Sequence, residues 1–169
     1  NEVINGNNII LSGYSIYGIM NNLVIADNDK VEMYNYNFTE NVFNLIEDKT
    51  EVPNSGNYYF ADESNKKHWG DYYIHQLLDK IRDKKELKYT NSIVMDTHHI
   101  LKAGGIYISP VDNYNLSGKL YLFNMAYPIA FIIEKAGGMT SNGKTSILEL
   151  PYSSIKKTPI IFGSKEEMN

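Results

Sequence analysis

Cysteine is missing from all 169 residues. That removes disulfides, thiolate nucleophiles and Cys-based zinc sites, and it fits an intracellular protein. Positive charge is not in excess either. The formal net charge is -4, and no basic stripe is available to neutralise a phosphate backbone, so nucleic acid is not an expected partner. The cationic group Lys84, Lys85 and Lys88 is offset by Asp83 and Glu86 and reads as a solvated helix end. Long apolar runs are absent as well. Asn, Asp or Lys interrupts them before they reach the length of a membrane span, and no signal peptide is visible. Neither a Ser-His-Asp spacing nor a nucleophile elbow occurs. The glycosylation-like triplets at Asn37 and Asn115 carry no weight in so Asn-rich a chain. The chain opens on Asn1 rather than Met and ends at Asn169 inside the first turn of an expected helix, so flanking sequence is expected.

What is present predicts a folded domain over 1–169. Hydrophobic residues make up 43% and charged residues 21%, which is a globular composition. Runs at Asn8–Leu11, Tyr14–Tyr17, Leu23–Ala26 and Val31–Tyr36 are apolar or β-branched and separated by Gly, Asn and Asp, so they predict strands. Asp27-Asn28-Asp29 predicts a hairpin turn, because short Asx side chains bond nearby amides. A turn at 53–56 precedes a strand at Tyr58–Phe60. Helical spacing then takes over at Ile74, Leu77, Leu78 and Ile81, and again from Ile93 to Leu101 with a stop at Gly104-Gly105. A strand follows at Ile106–Ser109. Pro128 opens a third helix, and Pro159–Phe162 is a short buried strand. Ser164 and Glu167 have capping-box spacing. The fold class is α/β in the mixed α+β sense: a mixed sheet flanked by helices.

Two tempting motifs fail on context. Gly138 to Thr145 matches the P-loop letters, but a helix precedes the first glycine and Ser146–Leu150 reads as extended. A phosphate cradle needs a strand before it and a helix amino end after it. His98 and His99 are adjacent on a helix and diverge by about 100°, so they do not form a metal site. Asp96 and His99 are spaced to pair across one turn. Asp27, Asp29, Asp62 and Glu63 read as solvated loop acids.

Four segments together resemble the fructose-1,6-bisphosphatase family, including its sedoheptulose-1,7-bisphosphatase relatives. They are Ser12 to Gly18, Lys88 to His98, Gly104 to Pro110 with Gly118-Lys119-Leu120, and Pro128 to Gly138. The resemblance implies the carboxy-terminal, sugar-phosphate-binding domain of a Mg²⁺-dependent phosphatase, with the amino-terminal metal-binding domain outside this chain. It implies that Lys119 and Tyr89 contact substrate. Lys88 would stand where the family has an arginine reaching a neighbouring subunit, so a homo-oligomer, a dimer with Lys88 near its boundary, is expected. The departures are pointed. Met125 falls at the position of the family's metal-binding glutamate, and a thioether is a very poor Mg²⁺ ligand. Asp62 replaces an asparagine, and Asn65 and Ser109 replace two tyrosines of the distal-phosphate pocket. An aspartate at about 4 Å from a phosphate costs about 1–4 kcal/mol per charge pair. Two functions are therefore weighed: a sugar bisphosphatase completed by other sequence and using Mg²⁺, or a non-catalytic module for binding or assembly. This chain alone is expected to need no cofactor and to hydrolyse nothing.

Overall fold

The computed structural model describes residues 4–70 and 72–169. Turn chemistry sets its first layer. Strands β1 (Ser12–Ile16), β2 (Asn22–Ala26), β3 (Val31–Asn37) and β4 (Val42–Glu47) form an antiparallel meander in chain order. The expected hairpin is there, with Val24 opposite Met33 and Ala26 opposite Val31. Its turn closes through the Asp27 carboxylate, which accepts from the amides of Asp29 and Lys30 at 2.8 and 2.9 Å. Alternation then puts Val24, Ala26, Val31 and Met33 on one buried face.

One expected strand is absent and one unexpected strand is present. Asn8–Leu11 is not a strand. The Asn5 side chain accepts the Asn7 amide at 3.0 Å and caps a 3₁₀ turn over Gly6–Asn8, while Ile9–Leu11 stay outside helix and strand. Asn competes for local amides in just this way. Strand β4 was not anticipated. Neither of its faces is buried, so no alternation marks it: Val42, Phe43, Leu45 and Ile46 are all exposed.

The remaining strands are β5 (Tyr58–Ala61), β6 (Glu86–Leu87), β7 (Ile106–Ser109), β8 (Leu120–Tyr121), β9 (Met139–Ser141), β10 (Lys157–Thr158) and β11 (Ile160–Gly163). Strands β8 and β10 pair by themselves, and the others form a mixed sheet in the order β6-β5-β7-β11-β9. Within it, β5 runs parallel to β6 and β7, while β11 runs antiparallel to β7 and β9. The helices are α1 (Tyr72–Arg82), α2 (Ile93–Ala103), α3 (Tyr127–Lys135) and the short α4 (Lys165–Met168).

Period-two burial divides the mixed sheet between two cores. Phe60 and Tyr107 face α2, α3 and the meander, whereas Tyr59, Ala61, Ile106 and Ile108 face α1. The layers therefore run meander, α2 with α3, mixed sheet, α1. Helix α1 buries Ile74, Leu78 and Ile81, three residues of the predicted stripe. Helix α2 starts on Ser92, whose hydroxyl accepts the Met95 amide, and stops at Gly104 with φ of 69°. Among the described residues no helix is long and apolar enough to cross a membrane.

Three other local expectations do not hold, two because of tertiary contacts and one because of a local cap. The Ser164 hydroxyl accepts the Gly105 amide at 3.0 Å, and the Glu167 carboxylate accepts the Gly56 amide at 3.0 Å, so the side chains of the expected capping box are spent across the fold although α4 does begin there. Lys85 lies beside Glu167 at 2.5 Å and is largely buried, so the lysine group is not a uniformly solvated helix end. Ser146–Leu150 is not extended. Ser146 accepts the Leu148 amide at 3.2 Å and caps a 3₁₀ turn over Ile147–Glu149.

Candidate functional site

Strands β5, β6 and β7 are parallel neighbours, so their carboxyl ends open on one side of the sheet. Open α/β sheets leave a crevice there when the chain leaves one strand for its two different neighbours. Asp62 follows the last residue of β5, Lys88 and Tyr89 follow β6, and Ser109 ends β7. Lys119 arrives on the loop before β8. That loop passes so close to β10 that a side chain at Gly118 would sit 2.1 Å from the backbone of Thr158 and Pro159, and Gly118 has φ of 87°.

These ends enclose a cavity of about 190 Å³. Asp62, Tyr89, Ser109, Lys119 and Met125 all line it, together with Trp69. Two of the sequence-selected residues lie elsewhere. Asn65 stands behind the wall and donates to Asp112 at 2.8 Å. Lys88 is not part of the lining; its ammonium sits 4.5 Å from the centre of the Tyr58 ring.

Asp112 was not singled out in the sequence, yet it organises the charge. It is buried, at 2% exposure. Its Oδ1 accepts from the amides of Tyr114 and Asn115 and from the Asn115 side chain, at 2.8–2.9 Å. Its Oδ2 accepts from Asn65 and lies 3.2 Å from the Lys119 ammonium. Burial pushes this carboxyl up, but the hydrogen bonds from Asn115, Tyr114 and Lys119 outweigh it and hold the group well below the usual carboxylate range. Asp62 Oδ2 is 3.9 Å from the same ammonium. One lysine thus faces two carboxylates. Asp62 is therefore no simple solvated loop acid, because it shares the lysine of a cavity.

Tyr89 occupies a turn stabilised from α2. The Asp96 carboxylate accepts from the Thr90 hydroxyl at 2.7 Å and from its amide at 3.2 Å, and Asn91 adopts φ of 61°. The Tyr89 hydroxyl donates to Asn91 at 3.0 Å. Burial raises this phenol, and the Asp62 and Asp96 carboxylates add to the shift. The expected Asp96–His99 pairing does not form as a hydrogen bond: Asp96 Oδ2 and His99 Nδ1 are buried without partners. Burial lowers the pKa of His98 and His99. His98 Nδ1 meets the Tyr14 hydroxyl at 3.0 Å, and His99 stacks on Phe60.

Met125 sits on a single π turn, Leu122–Ala126, leading into α3. Such turns are frequent at functional sites. Met125 and Ile93 form a wall shared with a second, apolar cavity of about 140 Å³ that Tyr14 and Ile129 also line.

The P-loop letters do no such work. Asn142 Oδ1 accepts the Lys144 and Thr145 amides at 2.9 Å, and Ser141 accepts the Gly143 amide at 2.9 Å. The amides that a phosphate cradle would need are occupied, and helix α3 rather than a strand precedes the first glycine.

Residues 52–169 match the family model of the fructose-1,6-bisphosphatase C-terminal domain. The chain belongs to the fructose-1,6-bisphosphatase family. It is 34% identical over 173 residues to a class 1 fructose-1,6-bisphosphatase of Pseudoalteromonas atlantica, an alignment covering 96% of this chain and 54% of that protein. It is 30% identical to the cytosolic fructose-1,6-bisphosphatase of Oryza sativa subsp. indica, covering 96% and 50%. The crystal structure of Leishmania major fructose-1,6-bisphosphatase in its T-state superposes with a TM-score of 0.93 at 29% identity, covering 97% of this chain and 53% of that one. The chain thus spans about half the length of these family members and corresponds to their C-terminal half. Its mixed α/β architecture is the family's.

Proposed function

We propose that this chain is the sugar-side domain of a fructose-1,6-bisphosphatase-type fold in which phosphate-ester hydrolysis has been given up and the pocket serves binding or assembly. The observation that carries this reading is the state of Lys119: its ammonium is held at 3.2 Å by buried Asp112 and flanked at 3.9 Å by Asp62. A phosphate dianion would have to compete with one carboxylate and approach another.

The Mg²⁺ implied by the family does not fit the donors here. Met125 offers a thioether, where Mg²⁺ demands hard oxygen in octahedral array. Of the carboxylates nearest the cavity, buried Asp112 is spent on Lys119 and on its own donors, and Asp62 lies 3.9 Å from the same ammonium. Lys119 and Tyr89 can still orient a ligand, but orientation alone leaves a phosphoryl-transfer barrier largely in place.

A second reading keeps the family's activity: a Mg²⁺-dependent sugar bisphosphatase whose metal ligands come from sequence outside this chain. Lys119 and Tyr89 lining one cavity favour it. Phosphate release from fructose 1,6-bisphosphate distinguishes the two, measured on the full-length protein and on its Met125→Glu variant. No turnover by the native protein with partial recovery in the variant supports the non-catalytic reading. Robust turnover by the native protein ends it.

The same kinship supports a single C-terminal domain over 1–169, an intracellular setting like that of the cytosolic relative, and self-association as a dimer with Lys88 near the boundary. Light scattering of the full-length protein at micromolar concentration tests the last point, and a monomer refutes it.

A further inference from the structure

The charge around Lys119 bears on what the cavity accepts. Asp112 makes its hydrogen bonds from inside the protein and neutralises Lys119 from behind the wall. Asp62 is different. Its side chain is 33% exposed and faces the cavity, and its separation from Lys119, 3.9 Å, is beyond hydrogen-bond reach. Its Oδ1 accepts from Ser64 at 2.5 Å, while Oδ2 accepts no hydrogen bond among the described residues. With two carboxylates set against one lysine, the cavity carries one negative charge in excess, and Asp62 is the carboxylate that presents it to the interior.

The rest of the wall suits a cation. Trp69, Tyr89 and Tyr107 contribute aromatic surface, and aromatic walls beside a carboxylate attract ammonium groups through the ring quadrupole. Asn91 and Ser109 add polar groups that can serve hydroxyls. At about 190 Å³ the space restricts the occupant to one small molecule. We propose that the cavity takes a small polyol bearing an ammonium group, with Asp62 as its counter-ion, in place of a phosphate ester. The proposal rests on the non-catalytic reading above and adds the ligand class to it.

Asp62→Asn removes the charge while keeping the shape. The test is calorimetric titration of the full-length protein at about pH 6.5 with three probes that share one ring and differ in charge: glucosamine, glucose and glucose 6-phosphate. The expected order for the native protein is glucosamine tightest, then glucose, then glucose 6-phosphate, with glucosamine about two- to fivefold ahead of glucose, the scale of one exposed charge contact. In Asp62→Asn the lead of glucosamine is lost and glucose 6-phosphate gains. Glucose 6-phosphate binding tightest to the native protein overturns the proposal, as does an order unchanged in Asp62→Asn, or no binding by any probe. The native order stands as a test even if the variant misfolds. Failure here is separable from failure of the non-catalytic reading, which shows itself as phosphate release rather than as a binding order.

Discussion

Two regions of this molecule carry phosphate-related sequence signals, and they are built in opposite ways. The turn after α3 has the letters of a phosphate cradle in one contiguous run, yet its amides are consumed by Asn142 and Ser141. The cavity has no contiguous motif. Its residues come from positions between 62 and 125 and meet because three parallel strands end on one side of a sheet. A site is thus a property of topology and of which hydrogen-bonding groups remain unspent. Letters in a row report neither.

That contrast should be visible in stability. Asp112→Ala is expected to cost the most, about 3–5 kcal/mol in urea denaturation, because it leaves a lysine and several polar groups without their buried partner. Lys119→Met should cost less, about 1–3 kcal/mol: Lys119 is 37% exposed, and Asp112 keeps its amide and Asn partners. Asn142→Ala in the turn should cost only about 1 kcal/mol, since its partners can turn to water. Lys144→Ala, at an exposed position, should change stability by no more than about 0.5 kcal/mol and leave ATP binding at background. A cradle role for the turn would be revived by ATP binding that depends on Lys144.

Acid sharpens the same contrast. The Asp112 carboxyl is held below its unfolded value near 4. Its contribution is therefore fully present above that value and is lost as the pH falls below about 4 toward the lower folded value. Stability measured against pH should decline there in the native protein, and the decline should be shallower in Asp112→Asn. An unchanged slope would mean that the Asp112–Lys119 contact contributes nothing.

Much of the fold was legible because period and caps agreed with tertiary burial. The Ile74–Ile81 stripe, the Ser92 and Gly104 ends of α2 and the Asp27 turn are all local signals that the packing reinforces. What could not be read was set by distant partners. Ser164 and Glu167 have the spacing of a local cap but bond to Gly105 and Gly56. Strand β4 shows no alternation of burial, because residues on both of its faces stay exposed. In the site, the residues carried over from the family resemblance fall mostly on one cavity, whereas Asp112 was passed over. Its signal was faint but present: an Asp followed three residues later by Asn, between Pro110 and Gly118, where an Asx-type loop would turn. Its pairing with Lys119, seven residues away along a folded loop, has no sequence signature.

The most direct measurement follows the Lys119 ammonium itself, by nitrogen-detected NMR of the full-length protein during titration with inorganic phosphate. If Asp112 and Asp62 hold that lysine as described, its resonance stays in place through millimolar phosphate and moves only when Asp112 is replaced. A saturable shift in the native protein would show that Lys119 is free to take a phosphate, and would contradict the account.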